Sequence, residues 1–198
     1  MTLPALGVFG PGFDDPREGH VHGALDICPK NRVMFKDSER DLFAIESGKM
    51  YAHKIRLETE NRQDFSAWGM PWPAGEVPEP EPYPFANYTE EVYGICLLLL
   101  TEKRMYLYAH LNEVPGYLQS EDLPMLFKKE SAGRWISAQF WGPVSVREGD
   151  YVGAMGWFGQ TVPAGRPGCH LHIEAHEGRY WKPHSSRVRI DNELRRLV

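Results

Sequence analysis

Five side chains in three separated segments carry the chemistry of this chain: His22 with Asp26, His110, and His170 with His172. Imidazoles and one carboxylate are the inventory of a zinc centre that keeps a vertex open. Such centres take three protein ligands from His, Asp or Glu and leave the fourth position to water, while two spare histidines can handle protons. The segments read Gly19-His-Val-His-Gly-Ala-Leu-Asp-Ile27, Leu107-Tyr-Ala-His-Leu111 and Gly168-Cys-His-Leu-His-Ile-Glu174.

Spacing sets what each segment can do. On a strand, His170 and His172 point to the same face about 7 Å apart, so both rings can reach one polar site while Leu171 enters the opposite layer. Spacing alone leaves open whether both bind a metal or one binds and the other meets substrate. His22 and Asp26 would stand about 13 Å apart on an extended strand, too far for a shared ion. Gly23 and Ala24 between them let the chain bend so that both converge. His20 competes with His22 as the first ligand. Glu174 shares a face with the two late histidines and either orients a ligand or is a plain polar strand residue. His176 lies farther along that face, and His53 and His184 are expected at the surface.

Strands must position these residues. Residues 49–57 alternate loosely and read as a half-buried strand; 94–100 reads as a strand buried on both faces. Residues 104–110 follow Thr101-Glu-Lys103 as the second arm of a hairpin. Strand signals return at 144–152, around a Glu148-Gly149-Asp150 turn, and at 169–176. Helical periodicity is confined to short segments at 120–128 and 191–197. Many short strands with Gly and Pro turns imply a single, mostly antiparallel β domain spanning 1–198, in which a second small sheet or hairpins form a groove over the metal. Two insertions interrupt it, at about 64–88 and 118–142. The first holds Pro71, Pro73, Pro78, Pro80, Pro82 and Pro84 among glutamates, which favours extended chain because each proline removes a backbone donor. The second is expected to be a long loop holding Trp135, Phe140 and Trp141. Trp68, Trp72 and Trp157 are further candidates to line a groove, although packing is the commoner role for any single tryptophan.

With 198 residues and 42% hydrophobic content the chain can bury a real core. Its net charge of -5 argues against nucleic acid or anionic lipid as partners, since both reward clustered Lys and Arg. The longest apolar run, 95–100, is too short to span a bilayer, and residues 1–7 show no signal peptide. Release by another route, or an export segment outside this sequence, is expected. Cys28, Cys96 and Cys169 cannot all pair, so no disulfide framework is expected.

Taken together the motifs resemble the M23 family of zinc metallopeptidases, of the lysostaphin and LytM type. His22-Gly-Ala-Leu-Asp26 matches H-x3-D, Tyr108-Ala-His-Leu111 matches Y-A-H-L, and His170-Leu-His-Ile-Glu174 matches H-L-H-F-E. Val146-Arg-Glu-Gly-Asp-Tyr-Val-Gly153 resembles the family's V-x-x-G turn, and Gly156 and Gly159 its G-x-x-G loop. The resemblance covers most of residues 19–182. It implies a duplicated hybrid motif-like β fold, zinc bound by His22, Asp26 and His172, and His110 and His170 flanking the attacking water. It further implies cleavage of peptide bonds in peptidoglycan at the cell wall (periplasmic, extracellular or virion-associated). Targeting would come from a larger assembly such as a phage tail or envelope protein. Three departures stand out: Gly23 directly follows His22 where the family places glycine one residue later, Ile173 replaces phenylalanine, and the insertions border the substrate groove.

Two other readings compete. A cysteine amidase or peptidase would use Cys28 or Cys169 with a histidine, and needs an activated thiolate. A catalytically degenerate M23-like module would keep zinc or only the fold for docking; a scaffold has no need of His110.

Overall fold

The computed structural model describes residues 1–17, 20–58, 89–119, 125–131, 134–177 and 187–197. In chain order they form β1 (Val8–Phe9), β2 (Pro16–Arg17), β3 (His20–Val21), β4 (Leu25–Cys28), β5 (Asp41–Phe43), β6 (Gly48–Glu58), α1 (Glu90–Tyr93), β7 (Ile95–Leu100), β8 (Arg104–Leu111), β9 (Met125–Ser131), β10 (Arg134–Val146), β11 (Tyr151–Ala154), β12 (Leu171–Glu177) and α2 (Asp191–Arg195). Eight strands make one sheet in the order β1-β4-β12-β8-β7-β6-β10-β9, every neighbouring pair antiparallel. Strands β11 and β5 form a small second sheet, and β2 pairs with β3. The fold is mostly β and antiparallel, as the strand signals imply.

The middle of the sheet is apolar on both sides. All six residues of β7 are buried, and each leucine there contributes roughly 1.5–3 kcal/mol of burial. The hairpin into β8 is closed by Thr101, whose hydroxyl accepts from the Arg104 and Lys103 amides at 3.0 and 3.3 Å. Tyr108 ties β8 to the small sheet: its hydroxyl accepts from the Ile45 amide at 3.0 Å and donates to the Phe43 carbonyl at 3.2 Å. A rigid central sheet therefore holds the C-terminal end of β8, where His110 lies.

Strand β12 runs between β4 and β8 and sets the register of the candidate site. His172 lies opposite Asp26 on one side and Ala109 on the other. Directly opposed residues bring their Cβ atoms to about 4.5–5.5 Å, so pairing alone places the carboxylate beside the imidazole.

Three expectations change. Residues 125–128 belong to β9 and not to a helix (120–124 lie outside the described residues); pairing along the whole of β9 with β10 outweighs a weak local helical preference. The 118–142 stretch is correspondingly no plain loop, because β9 and β10 extend the main sheet to its edge. His53 is fully buried instead of exposed, and Met50, Tyr51 and Ala52 are buried with it, so β6 is covered on both faces there. β6 is also an interior strand, with β10 paired to one edge and β7 to the other, and α1 is joined to it by an ion pair of Lys54 with Glu90 at 2.9 Å. The short helix expected near 191–197 is present as α2. The proline-rich stretch 66–88, with Trp68 and Trp72, and also His184, lie outside the described residues, as does the side chain of Trp135.

Buried His53 predicts acid sensitivity. Burial pushes its pKa down to about 3, whereas the unfolded chain takes up the proton near pH 6.5. The folded state therefore loses ground as pH falls from about 6.5 towards 3, by roughly 1.4 kcal/mol per pH unit. Above pH 6.5 this group has no effect. Urea unfolding at pH 7, 6, 5 and 4 should show a shallower decline for His53→Gln than for the wild type. Parallel declines would refute the assignment.

Candidate metal centre

The three residues expected as ligands meet. His22 Nε2 lies 3.2 Å from Asp26 Oδ1, Asp26 Oδ1 lies 3.2 Å from His172 Nδ1, and His172 Nδ1 lies 3.2 Å from His22 Nε2. A tetrahedral ion with bonds of about 2.0–2.1 Å holds its ligand atoms about 3.3–3.4 Å apart. The donor triangle thus has nearly the dimensions of one tetrahedral face. All three residues are buried and together could hold a metal ion.

Local sequence explains the meeting. The chain leaves β3 before His22, whose amide donates to the Asp15 carbonyl and whose carbonyl accepts from Asp14, both at 2.8 Å. It then bends through Gly23 and Ala24 into β4. This bend folds back the separation that an extended strand would impose. The side chain of His20, the competing first ligand, lies outside the described residues.

Hydrogen bonds to the far ring nitrogens fix which atoms face inward. His22 Nδ1 lies 3.1 Å from the Gly12 carbonyl, an acceptor only, so this nitrogen donates and Nε2 carries the lone pair. His172 Nε2 lies 3.1 Å from Glu174 Oε1, which likewise leaves Nδ1 to face Asp26. Burial works against an ionised Asp26, but hydrogen bonds with His172 and His22 outweigh it and hold the carboxyl well below the usual carboxylate range. Three electron-rich atoms therefore converge on one point, which a cation must neutralise. A proton can serve: burial pushes His172 down, yet the carboxylates of Asp26 and Glu174 hold its pKa up at about 9. Metal binding would displace that proton.

Glu174 acts as the support of His172. Besides that ring, its carboxylate accepts from His176 Nε2 at 2.9 Å and from Arg187 Nε and Nη2 at 3.0 and 2.7 Å. The bidentate guanidinium fixes the carboxylate plane. Arg187 in turn crosses directly over Gly23, where a Cβ would collide with its guanidinium. The glycine immediately after His22 is thereby explained: it makes room for the arginine that braces the opposite ligand.

His110 and His170 stand beside the triangle. Their ring centroids are 4.5 Å apart, and that of His110 is 5.8 Å from that of His172. His110 Nδ1 donates to the Phe158 carbonyl at 2.9 Å and His170 Nδ1 to the Gly168 carbonyl at 2.7 Å. Both rings therefore offer Nε2 as an acceptor, that of His170 lying 3.9 Å from Asp26 Oδ1. Burial, then the charges of the neighbouring histidines, push the His110 pKa down to about 3, so this ring is a neutral base at physiological pH. Its backbone is left-handed, with φ 68°, a conformation costing a non-glycine residue about 1–3 kcal/mol and concentrated at functional sites. Gly156 lets the chain pass against the His110 carbonyl, where a Cβ would clash. That approach delivers the Phe158 carbonyl to the ring.

These residues open onto a cavity of about 300 Å³, whose walls also include Tyr93, Arg32, Gln160, Val92 and Val162. Tyr93 was not found from the sequence. Its ring stacks on His110 with centroids 6.4 Å apart and meets His172 edge-on at 5.7 Å. Burial and the Glu174 charge raise its pKa to about 12, against a hydrogen bond to Arg187. A lone tyrosine ahead of Gly94 carries no spacing signal that would have marked it. No protein-family model, curated protein or solved structure matches this chain. The likeness to M23 peptidases accordingly stands on the motif residues alone.

The thiols sit in a different state from the one nucleophilic catalysis needs. Burial raises the pKa of Cys28, raises that of Cys169 to about 11, and lifts that of Cys96 well above its ordinary value. All three cysteines are buried and free. Such thiols stay protonated near neutrality. Trp141 and Trp157 are half-buried and pack against the core.

Proposed function

We propose that the protein is a zinc-dependent endopeptidase of the M23 type that hydrolyses peptide bonds of bacterial peptidoglycan. The observation that carries this reading is the equilateral donor triangle of His22, Asp26 and His172 with two neutral imidazoles beside it at an open cavity. Two histidine nitrogens and one carboxylate oxygen suit zinc, and three protein ligands leave a vertex free. Peptidoglycan as substrate is supported by the three motifs in their order along the chain.

Bound there, the ion would supply Lewis acidity to a water molecule and to the scissile carbonyl. The rest falls to the protein. Asp26 offsets part of the positive charge, and Glu174 holds the His172 ring so that Nδ1 keeps its aim. His110 and His170, each anchored at Nδ1, present Nε2 to the cavity. One accepts a proton from the attacking water and, once protonated, donates it to the departing amine. The other then positions the nucleophile or, if protonated, donates to the developing oxyanion. Tyr93 closes one side and limits where a peptide can lie. Delivery to the wall by a larger assembly, such as a phage tail or an envelope protein, belongs to the same proposal.

The test combines metal analysis with wall digestion. Purified protein should hold about one zinc per chain and release cross-link-cleaved muropeptides, identified by mass spectrometry. Chelation should stop the release and added zinc restore it. Stoichiometric zinc with untouched walls would overturn the peptidase reading in favour of a docking module.

A further inference from the structure

The cleft contains one charge that the proposed hydrolysis does not use. Arg32 lines the cavity together with Asp26 and His170 and, among the described residues, is the one arginine or lysine that does so. Its side chain is exposed to solvent there. Arg40, Arg104, Arg187 and Arg189 each meet a carboxylate. Arg32 meets none among the described residues; its partner is Cys28, whose Sγ accepts from Nη2 at 2.8 Å. A thiol is a weak acceptor, unlike the carboxylates that the other arginines meet. The guanidinium is therefore held in place without being neutralised, with most of its five donors unspent.

Its position relative to the metal centre follows from the strand. Asp26 and Cys28 are two apart on β4, share a face and lie about 7 Å from each other. Arg32, anchored at Cys28, thus lines the same cavity as the donor triangle. With a divalent ion bound, the ion and this guanidinium would make the cleft positive overall, whatever the chain's net charge.

We propose that Arg32 forms a carboxylate-binding subsite of this cleft, taking the carboxylate borne by the substrate residue that adjoins the scissile bond. The planar fork suits a carboxylate in a way that an ammonium does not, and the Cys28 sulfur sets the angle of the fork. The proposal rests on the peptidase reading for the word scissile, but carboxylate recognition by Arg32 does not require catalysis. It narrows the substrate class to peptides with a free carboxylate beside the cleaved bond, as against neutral or amidated ones.

Calorimetric or NMR titration with N-acetyl-D-alanine and with its carboxamide tests it, on wild type, Arg32→Gln and Arg32→Lys, each metal-free and zinc-loaded. Wild type should prefer the acid by roughly 10- to 100-fold, the range for a charge-assisted bidentate contact. Arg32→Gln should lose that preference in the metal-free protein and most of it in the loaded one; Arg32→Lys should keep an intermediate part. An acid-to-amide ratio unchanged by Arg32→Gln would assign the carboxylate to the metal and overturn the subsite. The same ratio read as kcat/KM on acid and amide forms of a cleaved peptide separates the two proposals. Arg32-dependent binding without hydrolysis of any peptide removes the peptidase and keeps the subsite. Hydrolysis in which Arg32→Gln lowers both forms equally does the reverse.

Discussion

His172→Ala is expected to leave a folded protein that no longer retains a divalent ion, with affinity reduced by more than about 100-fold. That bound is the upper end of the cost of losing an outer-shell partner, and His172 is an apex of the triangle itself. Folding should survive because Glu174, deprived of the ring, still accepts from His176 and from both arms of Arg187. Glu174→Gln makes the complementary case. It keeps an oxygen near His172 but removes the charge that faces Arg187, so metal affinity should fall by about 10- to 100-fold. Stability should fall too, by up to about 3–5 kcal/mol, the cost of leaving one member of a buried pair uncompensated. Zinc titration after dialysis and urea unfolding measure the two effects separately. Full stoichiometric binding by His172→Ala would dissolve the proposed centre.

The asymmetry between those variants reflects what could be read from the primary structure. Histidines two apart on a strand announce a shared face, and a glycine after His22 announces a bend, so the candidate residues were accessible from spacing and residue type, while the choice of His22, Asp26 and His172 among them was implied by the M23 resemblance. The central strands were equally accessible, because Ile95-Cys-Leu-Leu-Leu-Leu100 admits no solvent-facing side. The long-range supports were not. Arg187 lies 13 residues beyond Glu174 and 164 beyond Gly23, with no periodicity to link them, and its role depends on sheet order. Tyr93, at the end of α1, and Phe158, in a loop, reach His110 from separate segments for the same reason. His53 was misplaced at the surface because a histidine in a loosely alternating segment carries no local sign of burial, and the interior position of β6 is set by β10, over 80 residues later, pairing alongside it. The 125–128 segment shows the same limit: Met125-Leu-Phe-Lys128 has no decisive local preference, and the partner strand decides.

His110→Ala should separate chemistry from metal binding. Among the described residues the ring hydrogen-bonds the Phe158 carbonyl and contributes no atom to the donor triangle, so zinc stoichiometry should match the wild type. Turnover of a cross-linked muropeptide should drop by roughly 10²- to 10⁴-fold, the contribution typical of a positioned acid–base group. His170→Ala is expected to fall in the same range, since the two imidazoles are neighbours with the same Nδ1-anchored arrangement. If they relay one proton as a unit, the double variant should be little slower than either single one, because groups that act together are not additive. Independent roles, one taking the proton and the other holding the oxyanion, would instead multiply the two losses. The comparison therefore distinguishes two mechanisms that share one geometry. A His110→Ala variant within threefold of wild type would deny the ring any part in the proposed catalysis. Loss of zinc in that variant would make His110 a ligand, and the strained backbone at φ 68° would then serve coordination and not proton transfer.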